Sequence, residues 1–401
     1  MNEIKSKKES IIIYLWTTLI LSLFLRNIIP FYMTLLMIFG LLIVSFLIIT
    51  NYEFFPKNNK FNFIFYLFFF IILFQIINSY FFLNRVEYFK ALPRFFLMPI
   101  TFFFLYFLVK KKAVLLNIFK IYIFFYFLGC LSLIYQVFYD QNLSFLVDPH
   151  QRAGLQRFAS TLGSLNVLSS TVFFPCLIVY IFCKNFFLKI ILIYFFLAVS
   201  FLTLSKSAFV NVSFFLLFLL LRKEFLQTSI IIILFIININ FSEKMNIYSI
   251  SLFKSLYLAN IVDVKIVEHS SLISQIFYRL NLNILIDNMS FYKFFAGYGI
   301  VGGQGVFGLP LAFTGTTHNQ YYDLLTIMGI FGLVCFLYII KSNLFFLFSL
   351  KKKNEIANFF FFCILISIIN MFFFNGFLFN PYTSFFIWMS IVYQINNVSF
   401  K

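Results

Sequence analysis

Metal-binding side chains are scarce in this chain, which has three histidines (His150, His269, His318) and five cysteines among 401 residues. The histidines have no ligand spacing. Cys130, Cys176, Cys183, Cys335 and Cys363 all fall inside apolar runs and none in the long loops. That argues against a zinc site, a thiolate site and a disulfide framework, and it leaves the redox compartment unread. Charge is also sparse, at 11% of residues, and acids number only 13, so the net charge is +17. Lys120 is read as the main charge inside an apolar run, and no internal repeat is found. Both absences count against a transporter, whose spans usually carry ionisable residues and repeat. The run from Ile11, preceded by Lys5, Lys7 and Lys8, lacks a small-residue cleavage site and is read as an uncleaved first span.

What the chain has instead is apolar bulk: 62% hydrophobic residues, 68 phenylalanines and a mean hydropathy of +0.98. The excess of Phe, Ile, Leu, Asn and Lys fits AT-rich coding, so phenylalanine is read as filler and not as a binding signal. Length and composition define a polytopic membrane protein, one all-α domain over 1–401. Twelve stretches are long enough to be spans: about 11–27, 30–50, 61–83, 92–109, 114–138, 166–183, 186–203, 207–221, 226–241, 321–345, 356–374 and 378–395. With the N-terminus inside, inner connections carry Lys57, Lys60, Lys110 to Lys112, Lys184, Lys189, Arg222, Lys223 and Lys351 to Lys353, as the positive-inside rule requires. Both termini then lie in the cytoplasm. Two long loops, about 139–165 and 242–320, lie on the other side.

The cations separate by type on this topology. Six of the seven arginines (Arg26, Arg85, Arg94, Arg152, Arg157, Arg279) fall on the outer face or its edge, and lysine dominates the inner face. Arginine adds a planar fork that binds phosphate oxygens bidentately, so an outer cluster points to a phosphorylated ligand. The alternative is pairing with Asp140, Asp148, Glu243 or Asp287, or with lipid phosphates. In the first loop Arg152 and Arg157 precede a Ser/Thr run, and Asn166, or Ser164 before it, is expected to cap the helix that follows. Free amides at that helix start beside two arginines would make an anion cradle. Ser205-Lys206-Ser207 joins two short spans, which puts Lys206 near the membrane plane, either on a lipid-linked phosphate or snorkelling to headgroups.

In the second loop, Leu272, Ile276, Phe277, Leu280, Ile284 and Leu285 follow helical spacing, and an amphipathic helix is expected over 271–286 with Arg279 on another face. Gly297-Tyr298-Gly299-Ile300-Val301-Gly302 matches the dinucleotide fingerprint G-x-G-x-x-G, but no strand precedes it and glycines continue through Gly303, Gly305 and Gly308 to Pro310. A tight-turning loop is the better reading. His318-Asn319 closes the loop, and Gly329-Ile330-Phe331-Gly332 follows inside the next span. Histidine's ordinary pKa of about 6.5 lets it take a proton from a hydroxyl at neutral pH, so His318 is a candidate general base.

His318-Asn319, nine residues, then Gly329-x-x-Gly332 resembles the signature of the bacterial O-antigen ligase and O-antigen polymerase superfamily. Several other features are similar to that family: twelve spans, the large loop before the tenth, Arg157 with Thr161 and Asn166, Ser205-Lys206 where Ser-Arg is commoner, and Arg279 ahead of Gly297-x-Gly299. The resemblance covers roughly residues 150–340. Lys206 departs from the pattern, and lysine lacks the arginine fork.

The resemblance implies a GT-C-type glycosyltransferase in the bacterial inner membrane, with its active site on the periplasmic face. It would act on undecaprenyl-pyrophosphate-linked oligosaccharide, with no metal and no other cofactor. Arg157, Arg279, Arg152 and Lys206 are expected to bind the pyrophosphate, whose charge grows as the sugar leaves it. His318 would orient or deprotonate the acceptor hydroxyl and Asn319 would hold the local geometry. Membrane lipids, a chain-length regulator and a flippase are the implied partners; nucleic acid is not one. Ten residues separate Arg152 from Gly163, which resembles an Arg-x10-Gly pattern of some polymerases, so a polymerase of O-antigen, capsule or exopolysaccharide is favoured over a ligase acting on lipid A-core. A lipid-linked glycan transporter is the third reading.

Overall fold

The computed structural model describes residues 2–22, 25–29, 31–50, 60–82, 85–108, 112–146, 148–152, 155–163, 165–257, 291–299, 320–352, 354–373, 378, 380 and 381–399. The chain is mostly α-helical. All twelve apolar stretches carry helix: α1 (Asn2–Leu21), α2 (Leu25–Ile28), α3 (Tyr32–Thr50), α4 (Lys60–Phe82), α5 (Arg85–Leu108), α6 (Lys112–Tyr139), α7 (Val167–Thr171), α8 (Phe173–Phe182), α9 (Phe186–Phe201), α10 (Lys206–Leu221), α11 (Phe225–Phe241), α14 (Gln320–Leu350), α15 (Glu355–Phe373) and α16 (Pro381–Ser399). Between them lie the hairpin β1 (His150–Arg152) and β2 (Leu155–Arg157), α12 (Glu243–Tyr257) and α13 (Phe291–Ala296). Contacts divide the chain into two compact units: residues 1–20, 31–116 and 281–401, and residues 21–30 and 117–280.

In the first unit α14 packs on α4, α13, α15 and α16, while α5 packs on α3, α4 and α16. The core is built from rings. Trp16 stacks on Phe104 with centroids 4.3 Å apart. Phe65 meets Phe69 edge-on, both are tilted against Phe102, and Phe68 meets Phe336. Apolar helices facing lipid gain little from burial alone and hold together by close packing and buried polar contacts. One such contact joins α14 to α16: Asn343 Nδ2 donates to Ser390 O (3.1 Å) and to Gln394 Oε1 (2.9 Å), and Ser390 Oγ donates back to Asn343 Oδ1 (3.0 Å).

In the second unit α8 packs on α9, and α10 packs on α7, α8, α9, α11 and α12. The helix after Asn166 is interrupted at Val172 although Val172 keeps helical angles (φ −56°, ψ −29°). Pro175 has no N–H to offer Thr171 O, and the ladder breaks there. The hairpin pairs His150 with Arg157, Gln151 with Gln156 and Arg152 with Leu155.

Three described helices are long and apolar enough to cross a membrane: Lys112–Tyr139, Gln320–Leu350 and Glu355–Phe372. Shorter apolar helices of 10–17 residues occupy seven further stretches, and α11 with α12 forms one pair bent by 110°. A 16-residue helix such as α9 or α10 rises only about 24 Å, short of a hydrocarbon core of about 30 Å. Large apolar side chains such as Leu42, Phe63, Phe70, Phe187 and Leu226 point outward. Lipid suits such a surface and water does not.

Candidate functional site

Arg157 ends β2 and is held on two sides. Its Nε donates to Thr203 O at 2.9 Å and its Nη2 to Asn166 Oδ1 at 2.6 Å, and the residue is only 8% exposed. Thr203 O belongs to the turn that ends α9, where Leu202, Thr203 and Leu204 donate to Val199 O, Ser200 O and Phe201 O. A helix C-terminus offers surplus carbonyls and a partial negative charge, so a guanidinium is well placed there. The charge is thus drawn into the protein by carbonyl oxygens.

Asn166 sits at the N-cap position of α7, yet its side chain makes no capping bond. Of the two expected caps, Asn166 therefore does not cap the helix through its side chain, and Ser164 lies outside the described residues. Its Oδ1 is taken by Arg157 Nη2 and, at 3.3 Å, by Ser205 Oγ. An acceptor offered two side-chain donors, one of them charged, is better satisfied there than by a backbone amide. Ser205, at the N-cap position of α10, likewise makes no side-chain cap bond. Lys206 adjoins it as the first residue of α10 and is 6% exposed, so it lies within protein and not at an open surface. The 16-residue helix α10 adds the positive end of its dipole at that point. Arg157, Asn166 and Ser205, from two stretches distant in sequence, therefore meet in one cluster, with Lys206 next to Ser205 in the chain.

The loop leading to the cluster is fixed on α6. Ser160 has φ +56° and its N–H donates to Gln136 Oε1 (3.2 Å); Thr161 N donates to Ser132 Oγ (2.9 Å), which in turn donates to Thr161 Oγ1 (3.4 Å). Gly163 has φ +72°. From the other side α12 covers the hairpin: Tyr248 Oη donates to Gln156 O at 2.9 Å, and Lys244 pairs with Asp140 at 2.6 Å. Burial, and secondarily the Asp140 carboxylate, push the Tyr248 phenol up to about 12, which keeps its proton available for that bond. The hairpin and α12 were not expected from the sequence. The two-residue Ala153-Gly154 link between His-Gln-Arg and Leu-Gln-Arg was the signal for the hairpin.

His318, Asn319, Arg279 and the helix expected over 271–286 lie outside the described residues, as do the side chains of Arg26, Arg85, Arg94 and Arg152. The segment that follows His318-Asn319 is described. Gln320, fully buried, accepts from Leu378 N at 3.1 Å, and Tyr321 Oη donates to Ile368 O at 3.0 Å. Asp323 is buried in the first turn of α14, where the helix dipole favours an acid. The sequence reading, which named Lys120 as the main intramembrane charge, missed Asp323; an acid three residues into a helix start was the available sign.

Gly329 breaks α14 with φ +68° and ψ −177°. The break takes Thr326 O out of the helical ladder, and Tyr298 N donates to it at 2.7 Å. Gly297, at φ +76°, lies against Ile327 O, and Gly329 lies against Phe295 O, so a Cβ on either would overlap backbone. Gln75 Nε2 donates to Ala296 O from α4. A helix, α13, precedes Gly297, as rejection of the dinucleotide reading requires. Gly297-x-Gly299 and the first glycine of Gly329-x-x-Gly332 are thus two halves of one backbone crossing. No protein-family model matches this chain, and no curated protein matches it.

Proposed function

We propose that this chain is a membrane-embedded glycosyltransferase that polymerises undecaprenyl-pyrophosphate-linked repeat units on the periplasmic face of the bacterial inner membrane, with a GT-C-type arrangement of about twelve spans. The observation that supports it most is the cluster at Arg157. Arg157, one of the four cations assigned to the pyrophosphate, bonds to Asn166 and to the end of α9, and Asn166 accepts from Ser205, the residue before Lys206, which is another of the four.

In the proposed reaction an acceptor hydroxyl attacks the anomeric carbon of the donor sugar, and the bond from that carbon to the pyrophosphate oxygen breaks. The hydroxyl proton passes to His318. Undecaprenyl pyrophosphate leaves with the bonding electrons, and its growing charge is stabilised by Arg157, Lys206, Arg279 and Arg152. No acid is required for such a leaving group. Fixing Arg157 on Thr203 O and Asn166 Oδ1 before substrate arrives removes part of the cost of organising charge during the reaction.

The test is deletion of the gene in its host, followed by gel analysis of lipopolysaccharide, capsule and exopolysaccharide. A polymerase leaves single repeats attached to core, or no capsule or exopolysaccharide polymer. Loss of every repeat from core identifies a ligase instead, and all polymers unchanged overturn both.

A further inference from the structure

Lys341 occupies an odd place for a lysine. It lies inside the apolar segment of α14, nine residues before its end, on a stripe formed by Leu337, Ile340, Leu344, Phe345 and Phe348. These residues and Phe361, Leu365 and Ile368 of α15 line an open groove of about 360 Å³. The size falls within the range of small-ligand sites, about 300–1,000 Å³. At one end of the groove Lys351 Nζ is seated between two of its rings, 4.0 Å from the centroid of Phe348 and 4.3 Å from that of Phe361. Lys352 follows and is exposed, and Glu355 is the acid in this stretch. Among the described residues no carboxylate pairs with Lys341. A cation kept in a membrane helix normally marks a partner, because leaving it unmatched in hydrocarbon is costly.

We infer that this groove is a binding site for an anionic phospholipid of the bilayer. One acyl chain lies along the Leu337–Phe348 stripe against α15, and the phosphate is drawn to Lys341 and Lys351. The apolar wall would accept any lipid tail; the lysines select the headgroup charge. The two tilted rings hold Lys351 in place, so the site is partly organised before lipid binds.

The experiment uses the full-length protein in nanodiscs of phosphatidylcholine and phosphatidylglycerol in equal amounts, with bound lipid counted by native mass spectrometry. Wild type should retain phosphatidylglycerol preferentially. Lys341→Gln and Lys351→Gln should each lower that preference about five-fold, the effect of one lysine near an anionic surface. Lys351→Arg should restore it, and Leu344→Trp, which fills the groove, should lose the retained lipid of either kind. Lys112→Gln, on an exposed helix start elsewhere, should change nothing. No preference in wild type, or an equal loss from Lys112→Gln, overturns the site, the latter by showing diffuse surface attraction. Should Lys351→Gln fail to elute as a single species, the exposed Lys341 variant decides the question alone.

Discussion

Arg157 is held in the second unit by side chains and a helix end: Asn166 Oδ1, Thr203 O and, through Asn166, Ser205. The segment that follows His318-Asn319 in the first unit is held by close backbone contact, with Tyr298 N on Thr326 O and two glycines at positive φ facing each other's chain. The first arrangement needs particular functional groups, and the second needs their absence. Substitutions should therefore fail differently in the two places. Around Gly329 a single methyl is intolerable, whereas around Arg157 the fold should survive changes that abolish chemistry.

The largest effect should come from Gly329→Ala. The new Cβ would overlap Phe295 O, and a side chain at φ +68° is itself strained, so a loss of about 4 kcal/mol or more is expected. Thermal unfolding in detergent checks it; a melting temperature within a degree of wild type would mean that the crossing is not tight. Next comes Arg157→Ala, which strands Thr203 O and Asn166 Oδ1 in a buried site at about 2–3 kcal/mol. Arg157→Lys should fold with smaller loss yet still slow glycan transfer, since charge is kept and the fork is not. Wild-type chain lengths from Arg157→Lys would count against bidentate contact with pyrophosphate.

A smaller effect tests whether side-chain bonds matter in the first unit as well. Asn343→Leu removes the link to Ser390 and Gln394 and should cost about 1 kcal/mol, the usual scale for polar contacts between membrane helices. The smallest should be Lys244→Gln, which breaks an ion pair with Asp140 whose members are 35% and 59% exposed. Under 1 kcal/mol is expected, and high salt should erase the difference from wild type. A large, salt-independent loss would show that α12 depends on that pair more than on Tyr248 and its buried neighbours.

Helices were the legible part of the sequence, because long apolar runs leave the backbone no other way to satisfy its hydrogen bonds in lipid. α4 spans 60–82 where 61–83 was expected, and α11 spans 225–241 where 226–241 was expected. What was not legible came from partners distant in sequence. Asn166 looks like a helix cap from its neighbours alone, and only the approach of Arg157 and Ser205 redirects it. Gly329 looks like a small residue for helix packing, but its conformation is set by Phe295 and Gly297, some thirty residues earlier. Lys206 as a snorkelling lysine was a local reading too, and its burial depends on elements that meet only in the fold. The bonds of Arg157 to the neutral oxygens of Thr203 and Asn166 are of the same kind, since neither partner is next to it in sequence.

The most direct test is to supply purified protein in vesicles with undecaprenyl-pyrophosphate-linked repeat units from its own host and to measure glycan length together with released undecaprenyl pyrophosphate. The account predicts lengthening by wild type, with one carrier released per bond formed and no metal or nucleotide added, and none by a folded His318→Ala variant. Polymer made by His318→Ala at the wild-type rate, or no transfer by wild type to any lipid-linked acceptor, would contradict it.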